Sequence, residues 1–281
     1  GLDLIRTDER NPLITTTFGV GELIKDALDH NVTKIILGIG GSATNDGGSG
    51  MLNALGVKFL NSNNDEIELG GGALAHLTHI DASNLDYRLN DVTFEVACDV
   101  TNPLLGHNGA TYIYGPQKGA TEKMIPKLDA ALTNYHDIIE KEYHISVKDI
   151  PGAAGGLGAG ILTFFNASLS NGIDIVLKET QFLKRIKDAD LIITGEGKID
   201  AQTIYGKTPI GVAKASKQFD LPVIAICGSL GKEYQVVYQH GIDSVFSIIE
   251  SPSELPYLLK NGGQFLTRTA ENIARLIKLN D

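Results

Sequence analysis

The amino-acid sequence predicts an α/β protein of two α/β domains, with mainly parallel sheets in Rossmann-like or flavodoxin-like layers. Short apolar runs rich in β-branched residues recur along the chain, and amphipathic segments separate them. Glycine-rich stretches follow directly after several of these runs. A chain of 281 residues with 42% hydrophobic residues has enough apolar material for a packed core.

Five apolar runs are predicted to be strands, because each is short and bounded by turn-forming residues. They are 34–37 (KIIL), 93–97 (TFEVA), 191–194 (LIIT), 223–226 (VIAI) and 244–249 (SVFSII). Long glycine-rich loops mark the chain up to Lys187, whereas strands and helices alternate tightly after it. We therefore expect one domain over residues 1–187 and a second over 188–281.

The segments between these runs are predicted to be helices. Segments 21–30 and 125–143 carry apolar residues at three- and four-residue steps. Segment 210–219 follows Pro209, a residue favoured in a first helical turn. Segment 264–279 carries Arg275 and Lys278 near its carboxyl end, where positive charge suits the helix dipole.

The composition excludes several classes of protein. The 24 basic and 34 acidic residues give a net charge of −10, which disfavours nucleic acid and anionic membrane as partners. Two cysteines, Cys98 and Cys227, cannot form a disulfide framework, and both are expected to be small buried hydrophobes in a cytoplasmic protein. Glycine is in excess, with 32 residues, but it follows no three-residue period and so does not indicate a fibrous protein.

The first candidate for chemistry is the glycine-rich segment 38–50, GIGGSATNDGGSG, directly after a predicted strand. Its first six residues fit the dinucleotide fingerprint G-x-G-x-x-A, in which glycines let backbone N–H groups approach an anion. The residues that follow do not start a long helix directly. Anion binding is favoured here, and a purely structural glycine turn is the alternative.

Two further segments carry charged side chains beside turn residues. Asp99 lies in CDVTNPLLG (98–106) at the end of a strand, where it could act in catalysis or bind a metal, or only form an Asx turn. Lys118 lies in GPQKGA (115–120), where it could contact a phosphate or remain a solvated loop lysine.

A charged cluster follows the strand at 191–194. The segment 194–207, TGEGKIDAQTIYGK, holds two carboxylates and two ammonium groups beside glycines, which suits metal-assisted phosphoryl transfer. These four residues are Glu196, Lys198, Asp200 and Lys207. Surface ion pairing is an equally good explanation of the charges.

Two other segments are candidates for weaker reasons. The cluster PGAAGGLGAG (151–160) offers only backbone, for close approach to a ligand or for a tightly packed helix start. Arg10 and Asn11, before Pro12, could clamp a carboxylate, since a guanidinium forms two parallel hydrogen bonds, or could form a surface ion pair.

Together these segments, in their order and their residues, resemble the bacterial-type glycerate kinases. The resemblance extends from ERNPLITTTFGVGELI (9–24) through GIGGSATNDGGSGMLNALG, CDVTNPLLG, GPQKGA and PGAAGGLGAG to ADLIITGEGKIDAQTIYGKTPIGVA (189–213). It implies an ATP-dependent, Mg²⁺-requiring kinase that phosphorylates D-glycerate, with 2-phosphoglycerate favoured over 3-phosphoglycerate as product. Nothing in the residues excludes a homo-oligomer.

The resemblance also implies a further N-terminal segment with a strand and a lysine-bearing motif, which this sequence does not match. We expect such a segment to complete the C-terminal domain, and the chain without it to be inactive. Two alternatives of other classes stay open: an NAD(P)-dependent oxidoreductase, which depends on GIGGSA alone, and an inactive truncated ligand-binding fragment.

Phosphoryl transfer needs positioned groups and neutralised charge, which gives each candidate residue an expected role on the family's motifs. We expect the backbone of Gly40, Gly41 and Ser42 to bind the triphosphate. The cations expected to contact the nucleotide are Lys118, Lys198 and Lys207. The expected catalytic carboxylates are Asp46, Asp99 and Asp200, with Glu196 and Asp200 as metal ligands. The expected substrate ligands are Arg10, Asn11 and Asn45.

Overall fold

The computed structural model describes residues 1–279. The chain forms two compact units, Gly1–Gly172 and Ile173–Asp281. The division falls fifteen residues before the boundary expected near Lys187. The reason is local packing: Phe182 and Ile186, which precede that boundary, belong to the hydrophobic core of the second unit.

The first unit contains five helices and five strands among the residues described. The helices are α1 (Phe18–Asp29), α2 (Ser49–Ala54), α3 (Ala110–Tyr114), α4 (Ile125–Tyr143) and α5 (Ala153–Phe164). The strands are β1 (Lys34–Gly38), β2 (Lys58–Leu60), β3 (His79–Asp81), β4 (Thr93–Ala97) and β5 (Ala167–Ser170).

A three-stranded parallel sheet in the order β1-β4-β5 organises this unit, and β2 and β3 form a separate antiparallel pair. Phe94 and Val96 of β4 are fully buried because their strand lies between two others. Helix α4 packs Leu132 and Tyr135 into the same core at the spacing that its sequence predicts. The parallel order sends the carboxyl ends of all three strands to one edge.

Helix α5 explains the glycine cluster 151–160. Ala154, Gly155 and Gly156 have φ of 55°, 66° and 87°, so the helix is broken by a left-handed stretch near its start. A Cβ on Gly155 would collide with the carbonyl oxygen of Thr44, and the Gly155 carbonyl accepts a hydrogen bond from Gly47 N–H at 2.9 Å. Of the two interpretations of this cluster, tight packing is the one that these glycines show.

The second unit contains β6 (Ile192–Ile199), β7 (Val223–Leu230) and β8 (Ser244–Ser247), which form a parallel sheet in that order. Its helices are α6 (Gly172–Glu179), α7 (Phe182–Arg185), α8 (Thr208–Ser216) and α9 (Leu255–Ile277). The α/β class with mainly parallel sheets is therefore confirmed. Within residues 1–279, no helix is both long and apolar enough to span a bilayer.

Candidate active site

The carboxyl ends of β1 and β4 border a cavity of about 200 Å³ in the first unit. Its walls are the loop 39–42 after β1, the segment 97–100 at the end of β4, a turn with Gln117 and Lys118, and the start of α5. Open parallel sheets bind ligands at this edge, outside the carboxyl ends of the strands. This cavity is the first candidate for a ligand site.

The glycine loop leaves β1 without starting a helix. Gly41 has φ +67°, the left-handed region that favours glycine, and the chain then continues without regular structure until α2 begins at Ser49. A dinucleotide site needs the glycine turn to open directly into a helix that holds the pyrophosphate. The loop does not have that geometry, which removes the main argument for an oxidoreductase. A Cβ on Gly40 or Gly41 would meet nothing within 4 Å, so their backbone borders open space.

Asp46 lies inside the protein rather than on the cavity. It is fully buried, and one carboxylate oxygen accepts hydrogen bonds from the N–H and the hydroxyl of Thr17 at 2.8 and 2.9 Å. The other oxygen accepts from Gly48 N–H at 3.2 Å. Burial raises the pKa of the Asp46 carboxyl, and these hydrogen bonds oppose the rise. The carboxylate joins α1 to the turn before α2 and is enclosed there, and this environment argues against the expected catalytic role.

Lys118 is the cation of the cavity. Its side chain is 2% exposed, and its ammonium donates to the carbonyl oxygen of Thr44 at 2.7 Å. An ammonium has three donors, and this carbonyl is the acceptor that the described residues supply. Burial lowers the pKa of Lys118 to about 8, while the Asp46 carboxylate limits the fall. The solvated-lysine alternative is wrong for this residue.

Arg10 does not line the cavity but lies behind one of its walls. Its guanidinium donates to the carbonyl oxygens of Gln117 and Leu2, each at 3.2 Å. Its Nε is buried without a hydrogen-bond partner in the described part of the chain. The expected carboxylate clamp is therefore engaged with main-chain carbonyls, one of them directly before Lys118.

The two asparagines expected to bind substrate are also engaged with the protein. Asn11 accepts the N–H of Leu13 at 3.1 Å, an Asx turn. Asn45 is fully buried and donates to the hydroxyl of Thr111 at 3.0 Å. Its Oδ1 has no hydrogen-bond partner within residues 1–279. Asn11 and Asn45 therefore shape the loops around the cavity, and neither is among the residues that line it.

Asp99 stands at the exposed rim of the cavity, as expected from its place after β4. One of its oxygens accepts the N–H of Gly172 at 2.8 Å, and Gly172 follows β5. The preceding residue, Cys98, is half-buried and lines the cavity too, rather than being a fully buried hydrophobe as predicted. Burial raises the pKa of the Cys98 thiol.

Sequence reasoning did not single out Tyr114 and Gln117, which also line the cavity. The Tyr114 hydroxyl donates to the side-chain oxygen of Asn102 at 2.6 Å, and burial raises the pKa of this phenol. Tyr114 directly precedes the GPQKGA segment, and Gln117 lies within it. Their closeness to Lys118 in the sequence was the signal that could have identified them.

In the second unit, β6 extends five residues beyond the strand predicted at 191–194 and so includes the first part of the charged segment. Strand β7 pairs with it over its length, with Glu196 opposite Cys227 and Lys198 opposite Ser229. Backbone pairing therefore holds Glu196 and Lys198 on a strand, two residues apart. Cys227 is buried, as predicted.

The four charged side chains of this segment form two ion pairs. The ammonium of Lys207 lies 3.4 Å from Glu196 Oε1, and that of Lys198 lies 3.1 Å from Asp200 Oδ2. The hydrogen bond from Lys198 is the main cause that lowers the pKa of Asp200, and Lys207 adds to it. Asp200 also caps a 3-10 turn by accepting Gln202 N–H at 3.0 Å.

Glu196 differs from Asp200 in having an unused oxygen. Its Oε2 is buried and has no hydrogen-bond partner among the described residues. No group of three or more His, Cys, Asp or Glu residues in the described chain could hold a metal ion by itself.

Comparison with known proteins decides the family. The model of the glycerate kinase family matches residues 1–278. The chain belongs to the glycerate kinase family. A protein named glycerate kinase from Halalkalibacterium halodurans is 53% identical over 98% of this chain and 73% of its own length. A protein named glycerate 2-kinase from Escherichia coli is 50% identical over 99% of this chain and 74% of its own.

A solved structure supports the same assignment. The crystal structure of a protein provisionally named glycerate kinase 2, from Salmonella typhimurium LT2, superimposes with a TM-score of 0.88 at 48% identity. The superposition includes 100% of this glycerate kinase family member and 74% of the Salmonella chain. The resemblance drawn from the sequence motifs is thus confirmed, and neither the oxidoreductase nor the inactive-fragment alternative is supported.

Proposed function

We propose that this protein is an ATP-dependent glycerate kinase, which transfers a phosphoryl group to D-glycerate and forms 2-phosphoglycerate. The observation that carries the proposal is the 50% identity over nearly the whole chain to a protein named glycerate 2-kinase. Two unpaired thiols, Cys98 and Cys227, and the need for ATP favour a cytoplasmic location.

The chemistry asks for positioned groups and neutralised charge more than for covalent catalysis. The backbone of Gly40, Gly41 and Ser42 borders open space and is our candidate for contact with phosphate oxygens. Lys118 supplies positive charge from the base of the same cavity. These groups support substrate binding by the first unit.

Asp99 is the carboxylate best placed to accept the proton of the attacking hydroxyl. It lies on the rim of the cavity, and the hydrogen bond from Gly172 N–H fixes its orientation through one oxygen. Asp46 is enclosed, and both oxygens of Asp200 contact protein donors, so neither has the same access. A base that lies within hydrogen-bond reach of the substrate hydroxyl contributes about 10²–10⁴-fold to the rate.

The second unit carries the residues that suit a nucleotide's magnesium ion. Mg²⁺ is usually held by one or two carboxylates together with substrate phosphates, so a dedicated three-ligand cluster is not required. The unpartnered Oε2 of Glu196 fits such a role, and Asp200 is the second carboxylate of the segment. When bound, Mg²⁺ would neutralise phosphate charge, as Lys198 and Lys207 would in part.

The second unit also exposes apolar side chains that a stable protein normally covers. On α9 the exposed ones are Leu255, Tyr257, Leu259, Leu266, Leu276 and Ile277. The relatives above are longer, since this chain covers about three-quarters of them. We therefore propose that the second unit is completed by additional chain in the full-length protein, as expected from the sequence, and that activity depends on it.

The decisive experiment is a coupled kinase assay of the full-length protein with Mg-ATP and D-glycerate, followed by phosphorus NMR of the product. We expect ADP release that depends on D-glycerate, and a product resonance of 2-phosphoglycerate. An Asp99→Asn variant should lose turnover, whereas Asp91→Asn, an exposed carboxylate of the same unit, should keep it. Absence of phosphoglycerate from the full-length protein would refute the proposal, and Asp200→Asn with unchanged turnover would remove Asp200 from the site.

A further inference from the structure

Lys118 is a cation that no carboxylate of residues 1–279 contacts directly. It is buried, and it donates one hydrogen bond to the Thr44 carbonyl. Burying an ammonium is costly unless its remaining donors find partners. A bound anion in the cavity that Lys118 lines would supply them.

The size of this cavity selects among anions. Its volume of about 200 Å³ lies below the ~300–1,000 Å³ of pockets that enclose drug-sized ligands. A nucleoside triphosphate is drug-sized or larger, whereas a three-carbon acid is much smaller. A carboxylate on a short chain therefore fits within this cavity, whereas a triphosphate would extend beyond it.

The walls also match such an acid. Lys118 provides one positive charge. Asp99, at the end of β4, provides an acceptor for a hydroxyl of the ligand. The loop at Gly40 and Gly41 is open to solvent on the same side, and it is free to receive the phosphoryl donor. A short molecule with a carboxylate at one end and hydroxyls along it has the complementary pattern.

Arg10 packs against the turn that carries Lys118. It bonds to the carbonyl oxygen of Gln117, and its own backbone packs so closely on Gly119 that a Cβ there would collide with the Arg10 carbonyl. Both contacts flank Lys118 in sequence. Arg10 therefore acts as a positioning residue for the turn that presents the lysine.

We propose that the cavity lined by Lys118, Ala97 and Asp99 binds the carboxylate end of the acid substrate, with Lys118 as its counter-charge, and that Lys118 does not serve the nucleotide. This deepens the proposed glycerate kinase function and depends on it for the identity of the acid. It makes Lys118 a substrate-binding residue and transfers to it the role that the sequence suggested for Arg10.

The test separates the Michaelis constants of the two substrates in the full-length enzyme. Lys118→Met should raise the KM for D-glycerate about 10- to 150-fold, as expected for the loss of one hydrogen bond to a charged group. The KM for ATP should stay within about threefold, since binding energy lost from one substrate need not change the other. Lys127→Met, which removes an exposed lysine of the same unit, is the matched control and should change neither constant.

A second variant keeps the proposal testable if Lys118→Met does not fold. Ala97→Leu fills part of the cavity and keeps the lysine, and it should also raise the KM for D-glycerate while sparing the KM for ATP. A rise in the KM for ATP alone in either folded variant, or no change in the KM for D-glycerate, overturns the proposal.

Direct binding distinguishes this proposal from the proposed function. Saturation-transfer NMR with D-glycerate or D-lactate, without nucleotide, should show binding to the wild-type protein and loss of binding in Lys118→Met. If the wild-type enzyme fails to phosphorylate D-glycerate yet binds these acids through Lys118, the kinase function fails and the carboxylate site stands. If phosphorylation proceeds and binding is independent of Lys118, the carboxylate site is wrong.

Discussion

Replacing Gly40 by alanine should leave stability nearly unchanged and lower kcat/KM about 100-fold. The φ of Gly40 lies outside the left-handed region, and an added Cβ would meet no protein atom within 4 Å. Alanine lowers the conformational entropy of the unfolded chain, and this effect alone stabilises the folded variant by about 0.4–1 kcal/mol. The same Cβ would project into space next to the cavity, and a displacement of about 1 Å in a reacting group can cost about 10²-fold in rate.

Gly155→Ala is the matched comparison, because the same atom is added to a glycine that the fold encloses. Its φ of 66° costs an alanine about 1–2 kcal/mol. The added Cβ would also collide with the Thr44 carbonyl oxygen, and overpacking adds about 1–3 kcal/mol. We expect a net destabilisation of about 2–5 kcal/mol.

Both variants are measured by thermal unfolding and by steady-state kinetics of the full-length enzyme. For a unit of this size about 1 kcal/mol corresponds to 2–4 °C in Tm, so Gly155→Ala should lose at least about 4 °C and Gly40→Ala should lose none. Gly40→Ala with normal Tm and normal kcat/KM would show that no ligand approaches the loop. A large loss of Tm in Gly40→Ala would show that the space beside it is not open.

Three further outcomes follow from the charged groups. The KM for D-glycerate should rise about tenfold per pH unit above pH ~8, because a lysine with a lowered pKa is charged below that pH and neutral above it. The charge that acts on Lys118 is the buried Asp46 carboxylate, while Asp99 lines the same cavity at its rim. A KM profile that is flat to pH 10, or one that Lys118→Met leaves unchanged, would contradict this assignment. Asp99→Asn should lower kcat about 10²–10⁴-fold with the KM for ATP unchanged, and a kcat within threefold of wild type would remove Asp99 as the base. Glu196→Gln should raise the Mg²⁺ concentration for half-maximal activity about tenfold, and chelation of Mg²⁺ should abolish wild-type turnover; an unchanged Mg²⁺ titration would exclude Glu196 as a ligand.

Local sequence patterns located most of the helices and strands, because the spacing of apolar residues in the sequence matches the spacing of buried residues in each element. Helix α4 has the predicted bounds, 125–143, since its apolar residues repeat at helical spacing and face one core. Helix α9 begins nine residues earlier than the predicted 264, at Leu255. The paired Gly262 and Gly263 disfavour a helix locally, but Pro256 suits its first turn and the helix continues through both glycines.

Non-local pairing explains the largest error in the second unit. Glycines alternate with charged residues after Thr194, and this composition is typical of a loop. Strand β7 nevertheless pairs with the chain as far as Ile199, and it supplies the hydrogen bonds that the local sequence cannot reveal. The functional consequence is that Glu196 is fixed on a strand rather than carried by a loop.

The site itself shows why residue chemistry alone assigns roles poorly. Arginine is the better carboxylate ligand in general, since its planar fork matches two oxygens, and this argument favoured Arg10 over Lys118. The fold reverses the order. It brings the carbonyls of Leu2 and Gln117 to the guanidinium, and it leaves the ammonium in the lining of the cavity with a single hydrogen bond to a carbonyl. Which cation can bind a ligand depends on which one the fold leaves with donors to spare, and that depends on contacts far apart in sequence. By the same criterion Asp46, whose oxygens accept hydrogen bonds from Thr17 and from the turn after it, is engaged with the protein, and we expect Asp99 at the strand end to be the carboxylate that accepts the proton.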